Sequence, residues 1–175
     1  FNPYLWSGAP LLAGWNAGAM YPFTMLFAFL PAAAAWALNE MFVYWVAALG
    51  TYALLRALKL QPVSSFLGAT AFAFAGSLDV QLPHFGLVAG MSWIPVILLA
   101  LVKLSDDPVR ACRFGWIAVL GLAGSMCVLA GEPRAIDTML VVVALYFVWL
   151  AARLGRRFVP FVVSVGGGAG LATLI

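Results

Sequence analysis

Residues 135–152 read AIDTMLVVVALYFVWLAA, an apolar stretch with one charged side chain, Asp137. At 1.5 Å of rise per residue, a helix over this stretch is about 27 Å long, close to the thickness of a bilayer's hydrocarbon core. Three basic residues follow it: Arg153, Arg156 and Arg157. An apolar stretch of this length with arginines directly after it is typical of a membrane-spanning helix that ends in the cytoplasm.

The composition extends this interpretation to the whole chain. Apolar residues make up 65% of the sequence and charged residues only 9%, against about 45–50% and 25% in soluble domains. A water-soluble fold could not cover so much apolar surface, whereas lipid solvates it. We see no basic stripe or reader motif that would indicate a nucleic-acid partner. The sequence therefore predicts an all-α, polytopic transmembrane helix bundle.

The basic residues set the topology, because lysine and arginine mark cytoplasmic loops. Eight of the nine fall in three groups: Arg56 and Lys59; Lys103, Arg110 and Arg113; Arg153, Arg156 and Arg157. Between two groups the chain must cross the membrane an even number of times. The placement of the basic residues predicts about six spans: Leu38–Leu55, Pro62–Leu78, Gly86–Leu101, Phe114–Ala130, Ala135–Ala152 and Phe158–Ile175.

The first apolar run, Tyr21 to Pro31, does not fit as a further span. It is only about 10 residues long, whereas a span needs about 20. We expect residues 1–37 to form an outer loop against the membrane with a short interfacial helix, because Trp and Tyr prefer the headgroup level. Residues 38–175 would be the helix bundle. The chain opens at Phe1 without an initiator Met and stops inside an apolar run, so we expect it to be a fragment of a longer protein.

This topology collects nearly all remaining ionisable groups at the outer ends of the spans. Such groups are costly at membrane depth and usually face a cavity or one another. The sequence therefore predicts a site on the outer side, with these candidates: Glu40, Asp79, His84, Glu132, Arg134 and Asp137. For Glu40, a structural role as a snorkelling acid at a helix start is the favoured interpretation.

Asp79 and His84 lie five positions apart. A carboxylate and an imidazole could share a divalent metal, Mg²⁺ or Mn²⁺, or could act as an acid–base pair. The spacing is not a specific metal signature. The structural alternative is a capping Asp and an interfacial His.

Arg134 is the one basic residue on the outer side, close to the start of a predicted helix. A cation there opposes the helix dipole and the charge rule for loops. Two explanations stay open. Arg134 could pair with Glu132 or Asp137, or it could bind an anionic ligand such as a phosphate.

Several motifs together resemble the YfhO-type bacterial membrane proteins. Residues 2–13 read NPYLWSGAPLLA, and Tyr21-Pro22 follows before an apolar run. Gly76, His84, Trp93 and Pro95 are similar to the second outer loop of that family in type and spacing. The step Gly131-Glu132-Pro133-Arg134 resembles the family's Gly-His-Pro-Gln, from which it departs at the second and fourth positions.

This resemblance implies a GT-C-type glycosyltransferase in the bacterial cytoplasmic membrane. Such an enzyme takes a sugar from a polyprenyl-phosphate carrier and transfers it to a cell-envelope acceptor on the outer face. The resemblance implies a general base in the first outer loop, upstream of Phe1. The expected active-site polar residues here are Asp79, His84, Glu132 and Arg134, and Asn2, Trp6 and Tyr21 are expected to shape the sugar pocket.

Two other classes fit the same composition. A transporter or flippase of lipid-linked precursors would also have apolar spans with few charges, although the sequence shows no inverted repeat or paired broken helices. A non-catalytic membrane subunit would only pack against a partner.

Overall fold

Over the part of the chain that the structure describes, all regular structure is helical. The structure is a computed structural model and describes residues 18–79, 81, 83–106, 110–154 and 166. A 3-10 helix, Pro22–Ala28, comes first. Seven α-helices follow: α1 (Ala32–Ala57), α2 (Pro62–Ala73), α3 (Gly76–Asp79), α4 (Phe85–Ser92), α5 (Ile94–Asp106), α6 (Arg110–Leu129) and α7 (Pro133–Leu154).

Among the described residues, three helical segments are long and apolar enough to cross a membrane, by length and composition: Ala32–Ala57, Phe85–Ser105 and Pro133–Ala152. Two shorter apolar helices cover Pro62–Ala73 and Phe114–Leu129. The helical prediction is thus confirmed, with three full-length candidate spans where about six were predicted. The sixth predicted span, residues 158–175, lies outside the described residues except for Gly166.

The outer surface of α7 supports the membrane interpretation. Leu140, Val141, Leu145 and Val148 are all more than half exposed. A soluble protein rarely leaves so many large apolar side chains of one helix in water. By contrast, most of Phe85–Ser105 is buried, so α4 and α5 form the centre of the bundle and α7 its periphery.

The central segment is interrupted at Trp93, where α4 ends and α5 begins. Pro95 lacks a backbone N–H and clashes with the preceding turn, which explains a break at this point in an otherwise continuous apolar segment. The predicted span Gly86–Leu101 includes no such break, so the interruption at Trp93 is a difference from the prediction.

The long helices α1, α4–α5 and α7 all start at the same end of the bundle. Along α1, Trp36 contacts Phe85 and Phe42 contacts Trp93, so α1 and α4–α5 run parallel and in register. A Cβ at Gly90 would lie 2.6 Å from Cβ of Ala135, which places the start of α7 beside α4. Arg56 and Lys103, in the last turns of α1 and α5, therefore lie at the opposite end.

The 3-10 helix is attached to α1 by a buried asparagine. Nδ2 of Asn39 donates hydrogen bonds to the backbone oxygens of Phe23 (3.1 Å) and Ala35 (2.8 Å). The Phe23 ring stacks on Phe42 with centroids 3.5 Å apart. These contacts fix the segment before α1 against the end of the bundle where the long helices start.

Candidate functional site

A cleft of about 360 Å³ opens at the end of the bundle where the long helices start. Its volume falls in the range of small-molecule sites, about 300–1,000 Å³. The wall comes from four parts of the chain: the 3-10 helix with the residues before it, the start of α1, the start of α4 and the turn between α6 and α7. The lining residues are Gly18, Tyr21, Thr24, Phe27, Trp36, Pro83, His84, Phe85, Gly86, Ala130 and Glu132.

The turn between α6 and α7 brings Glu132 into the cleft. Helix α6 ends at Leu129, and Gly131 follows it at a φ of 79°, the left-handed conformation that favours glycine after a helix end. Pro133 then occupies the first position of α7, where its missing N–H is not needed. Glu132 is thereby held between two helices with its side chain 12% exposed.

Close backbone packing seats this turn against α4. A Cβ at Gly86 would lie 2.6 Å from the carbonyl oxygen of Ala130 and 3.4 Å from Cβ of Glu132. A Cβ at Gly18 would lie 3.0 Å from the same oxygen. Glycine is therefore required at both positions for the walls of the cleft to approach one another.

Glu132 forms an ion pair with Arg134. Nε of Arg134 donates to Oε1 of Glu132 at 2.8 Å. The hydrogen bond from Arg134 holds the pKa of the Glu132 carboxyl below its usual range, with a smaller contribution from His84. Of the two explanations for Arg134, the pairing with Glu132 is present, and the phosphate ligand stays a prediction.

His84 directly precedes α4 and is exposed. Its backbone oxygen accepts the N–H of Leu87 at 2.8 Å and so closes the first turn of the helix. The imidazole itself makes no capping hydrogen bond to that helix. His84 and Glu132 line the same cleft, so the structure brings these two predicted site residues together.

Tyr21 forms a buried part of the cleft wall and is only 1% exposed. Its hydroxyl accepts a hydrogen bond from Nε1 of Trp93 at 3.3 Å. Burial raises the pKa of the Tyr21 phenol. The residue is thus held rigidly and shapes the cleft through its ring, because its hydroxyl is engaged with the α4–α5 junction.

Three of the predicted site residues have no side chain that the structure describes. Asn2 and Trp6 lie outside the described residues, as does the side chain of Asp79, whose backbone ends α3. Among the described residues, no group of three or more His, Cys, Asp or Glu side chains could hold a metal ion. The metal site predicted at Asp79 and His84 therefore stays a prediction.

Sequence reasoning missed the aromatic wall of the cleft. The Trp36 indole contacts the rings of Phe27 and Phe85, with ring centroids 6.4 Å and 5.5 Å away. Its Nε1 donates a hydrogen bond to Oε1 of Glu40. The signal was present in the sequence, since a Trp and a Glu four positions apart are neighbours on one helix face.

Comparisons of the chain with protein-family models, with curated proteins and with solved structures find no match. The resemblance to YfhO-type proteins accordingly stays a prediction that depends on the motifs quoted above. Over its described residues the chain is a helix bundle with three candidate membrane-spanning helices and a polar, aromatic-lined cleft at one end.

Proposed function

We propose that this chain contributes the substrate cleft of a membrane glycosyltransferase that acts on the outer face of the bacterial cytoplasmic membrane. It would transfer a sugar from a polyprenyl-phosphate carrier to a cell-envelope acceptor. The observation that carries the proposal is the make-up of the cleft. An imidazole, a carboxylate paired with a guanidinium, and aromatic rings meet at the end of the bundle opposite Arg56 and Lys103.

The depth of the cleft fits a lipid-linked sugar. Residues 36 to 56 of α1 cover about 30 Å of helix, the thickness of the hydrocarbon core. If Arg56 lies at the cytoplasmic boundary, as the charge rule favours, then Trp36 and the cleft lie at the outer boundary. The phosphate and sugar of a polyprenyl carrier occupy that level, while its tail stays in the lipid.

The segment between α2 and α4 also favours access of water to the cleft. The rings of Tyr44 and Phe74 stack with centroids 5.4 Å apart, so α2 ends level with Tyr44, about 12 Å along α1 from Trp36. Among the described residues between α2 and α4, the short helix α3 is the one regular element. Non-helical backbone at membrane depth is tolerated where it is buried in protein or lines a water-filled cavity.

The chemistry assigned to each residue follows from its contacts. Glu132 stays ionised because Arg134 stabilises its charge, and an ion-paired carboxylate is a weakened base. We assign it to binding hydroxyl groups and His84 to proton transfer. The N–H donors of Arg134 beyond Nε have no protein partner among the described residues, so the guanidinium is available to the departing lipid phosphate.

The position of the cleft argues against the transporter alternative. Secondary transporters bind their substrates near the middle of the bilayer, about 15 Å deeper than the level of Trp36. A cleft at the ends of the helices is better placed for a reaction on a lipid headgroup than for passage through the bundle.

The test uses the full-length protein in lipid nanodiscs with a radiolabelled polyprenyl-phosphate glucose and an envelope-glycan acceptor. We expect His84→Ala and Arg134→Ala each to lower the transfer rate by about 100-fold. Asp137→Asn is the matched control, an exposed acid on the same helix as Arg134 that does not line the cleft. Wild-type rates in both cleft variants, with normal expression, would contradict the proposal.

The other two classes give different results with the same protein. A flippase would move the labelled lipid across liposomes without cleaving the sugar–phosphate bond. A non-catalytic subunit would do neither.

A further inference from the structure

Trp36 has the geometry of a fixed, accessible aromatic surface. Phe27 meets it nearly edge-on, with an interplanar angle of 67°, and Phe85 packs at 50°. Both rings contact the indole, yet 41% of the residue remains exposed. Because Trp36 also lines the cleft, part of this exposed surface faces the space that a ligand would fill.

Glu40 fixes the remaining freedom of the indole. It lies one turn further along α1, where its Oε1 accepts the Nε1–H of Trp36. A hydrogen bond to a charged acceptor is stronger than one between neutral groups. Among the described residues Glu40 forms no ion pair with a cation, so the indole N–H is the partner that explains an acid in the third turn of a membrane helix.

We propose that Trp36 is a binding residue on which the pyranose ring of the sugar stacks, and that Glu40 is a positioning residue for its indole. The C–H groups on one face of a pyranose carry partial positive charge and are attracted to the negative face of an aromatic ring. A rigid indole binds without losing side-chain freedom, so pre-organisation by Glu40 strengthens the contact. The proposal rests on the proposed function, because it names the sugar's contact in the same cleft.

A second tryptophan on α1 provides a matched control. Trp45 is 58% exposed and lies about 180° around the helix from Trp36, since nine positions separate them. It lines a separate apolar groove with Tyr44, Ala48, Leu49 and Phe74. Trp45 therefore serves as a membrane-facing tryptophan that does not reach the cleft.

The experiment measures binding of methyl glucoside, methyl galactoside and methyl N-acetylglucosaminide to the full-length protein in nanodiscs, by saturation-transfer NMR. We expect Trp36→Leu to raise the Kd of the best-bound glycoside about fivefold, with Trp36→Phe between it and wild type. Glu40→Leu should raise the Kd by about threefold, and Glu40→Gln, which keeps an acceptor, should restore binding to within about twofold. Trp45→Leu should leave the Kd unchanged, and thermal unfolding shows that each variant is folded.

The outcomes separate this inference from the proposed function. If Trp36→Leu binds the glycosides with the Kd of the wild type, the inference is overturned and Trp36 is an interfacial anchor. Turnover in the transfer assay would still uphold the transferase. Sugar binding that depends on Trp36 but without turnover upholds the stacking surface and contradicts the transferase. Equal Kd values for Glu40→Leu and Glu40→Gln would overturn the positioning role. Absence of any glycoside binding in the wild type would overturn the stacking surface, whereas the transferase is judged by turnover.

Discussion

The bundle has two comparable helix–helix turns at its opposite ends, and they are built differently. Both place a residue in the left-handed conformation just after a helix: Lys59 after α1, with a φ of 66°, and Gly131 after α6, with a φ of 79°. At the basic end the residue is an exposed lysine, and the turn is closed by local bonds, such as that from Arg56 to the oxygen of Leu60. At the cleft end it is a buried glycine.

The difference is one of long-range packing. The carbonyl of Ala130, next to Gly131, lies against Gly18 and Gly86, which are distant in sequence. At the basic end, the left-handed position holds the full side chain of Lys59. At the cleft end, the turn packs so closely on α4 that even a methyl group at Gly86 would clash with it. Substitutions should therefore be costly at the cleft end and mild at the basic end.

The largest effect is expected for Gly86→Ala. The new Cβ would lie 2.6 Å from the Ala130 oxygen, and backbone cannot move aside as a flexible side chain can. We expect a loss of about 1–3 kcal/mol in the free energy of unfolding and displacement of the turn that carries Glu132. Gly115→Ala in α6 is the control, because a Cβ there meets nothing within 4 Å. Equal unfolding midpoints for both variants would show that the cleft turn is not tightly packed.

The next effect is expected for Gly131→Ala. An L-residue in the left-handed conformation costs about 1–2 kcal/mol relative to glycine, so thermal unfolding should occur at a lower temperature. The position also sets the direction of Glu132, and the variant should therefore weaken glycoside binding. A variant as stable as the wild type would mean that the turn can adopt another conformation.

A smaller, pH-dependent effect is expected for the ion pair. The pKa of Glu132 is lowered in the folded state from an ordinary value of 4.5, first through its hydrogen bond from Arg134. The stabilisation is therefore present above pH 4.5 and is lost as the pH falls through the lower, folded-state pKa. Wild type should unfold at a higher temperature than Glu132→Gln at pH 7 and should lose this advantage in acid. Because the Arg134 side chain is 54% exposed, high salt should reduce the difference as well. A difference unaffected by pH would point to packing instead.

The fold was predictable where a long apolar stretch meets a strong end signal. Helix α7 runs from Pro133 to Leu154, close to the predicted 135–152, since a proline and arginines flank it. Helix α1 begins at Ala32, earlier than the predicted Leu38, because residues 32–35 are alanines, which are strong helix formers, and Pro31 directly precedes them. Helix α2 ends at Ala73, short of the predicted Leu78.

The charged and polar residues of the cleft were predictable from the sequence, whereas the aromatic residues that line it were not. Sidedness of the basic residues was enough to group His84 with Glu132, whose helices start at one end of the bundle. The aromatic wall depends on how the 3-10 helix folds back on α1, and that contact is made by Asn39 and the backbone of Phe23. Sequence periodicity contains no signal for a bond between residues so far apart.

The smallest effect tests the basic end, with Lys59→Gly. Glycine removes the strain of a left-handed lysine but adds freedom to the unfolded chain, and the two effects nearly cancel. We expect a gain of only about 0.5 kcal/mol in the free energy of unfolding, measured by thermal unfolding in detergent, with glycoside binding unchanged. At the cleft end, the opposite kind of substitution, Gly131→Ala, should change the free energy of unfolding by several times as much and should lower it. A loss of sugar binding in Lys59→Gly would mean that the two ends of the bundle are coupled, because the lysine lies at the end opposite the cleft.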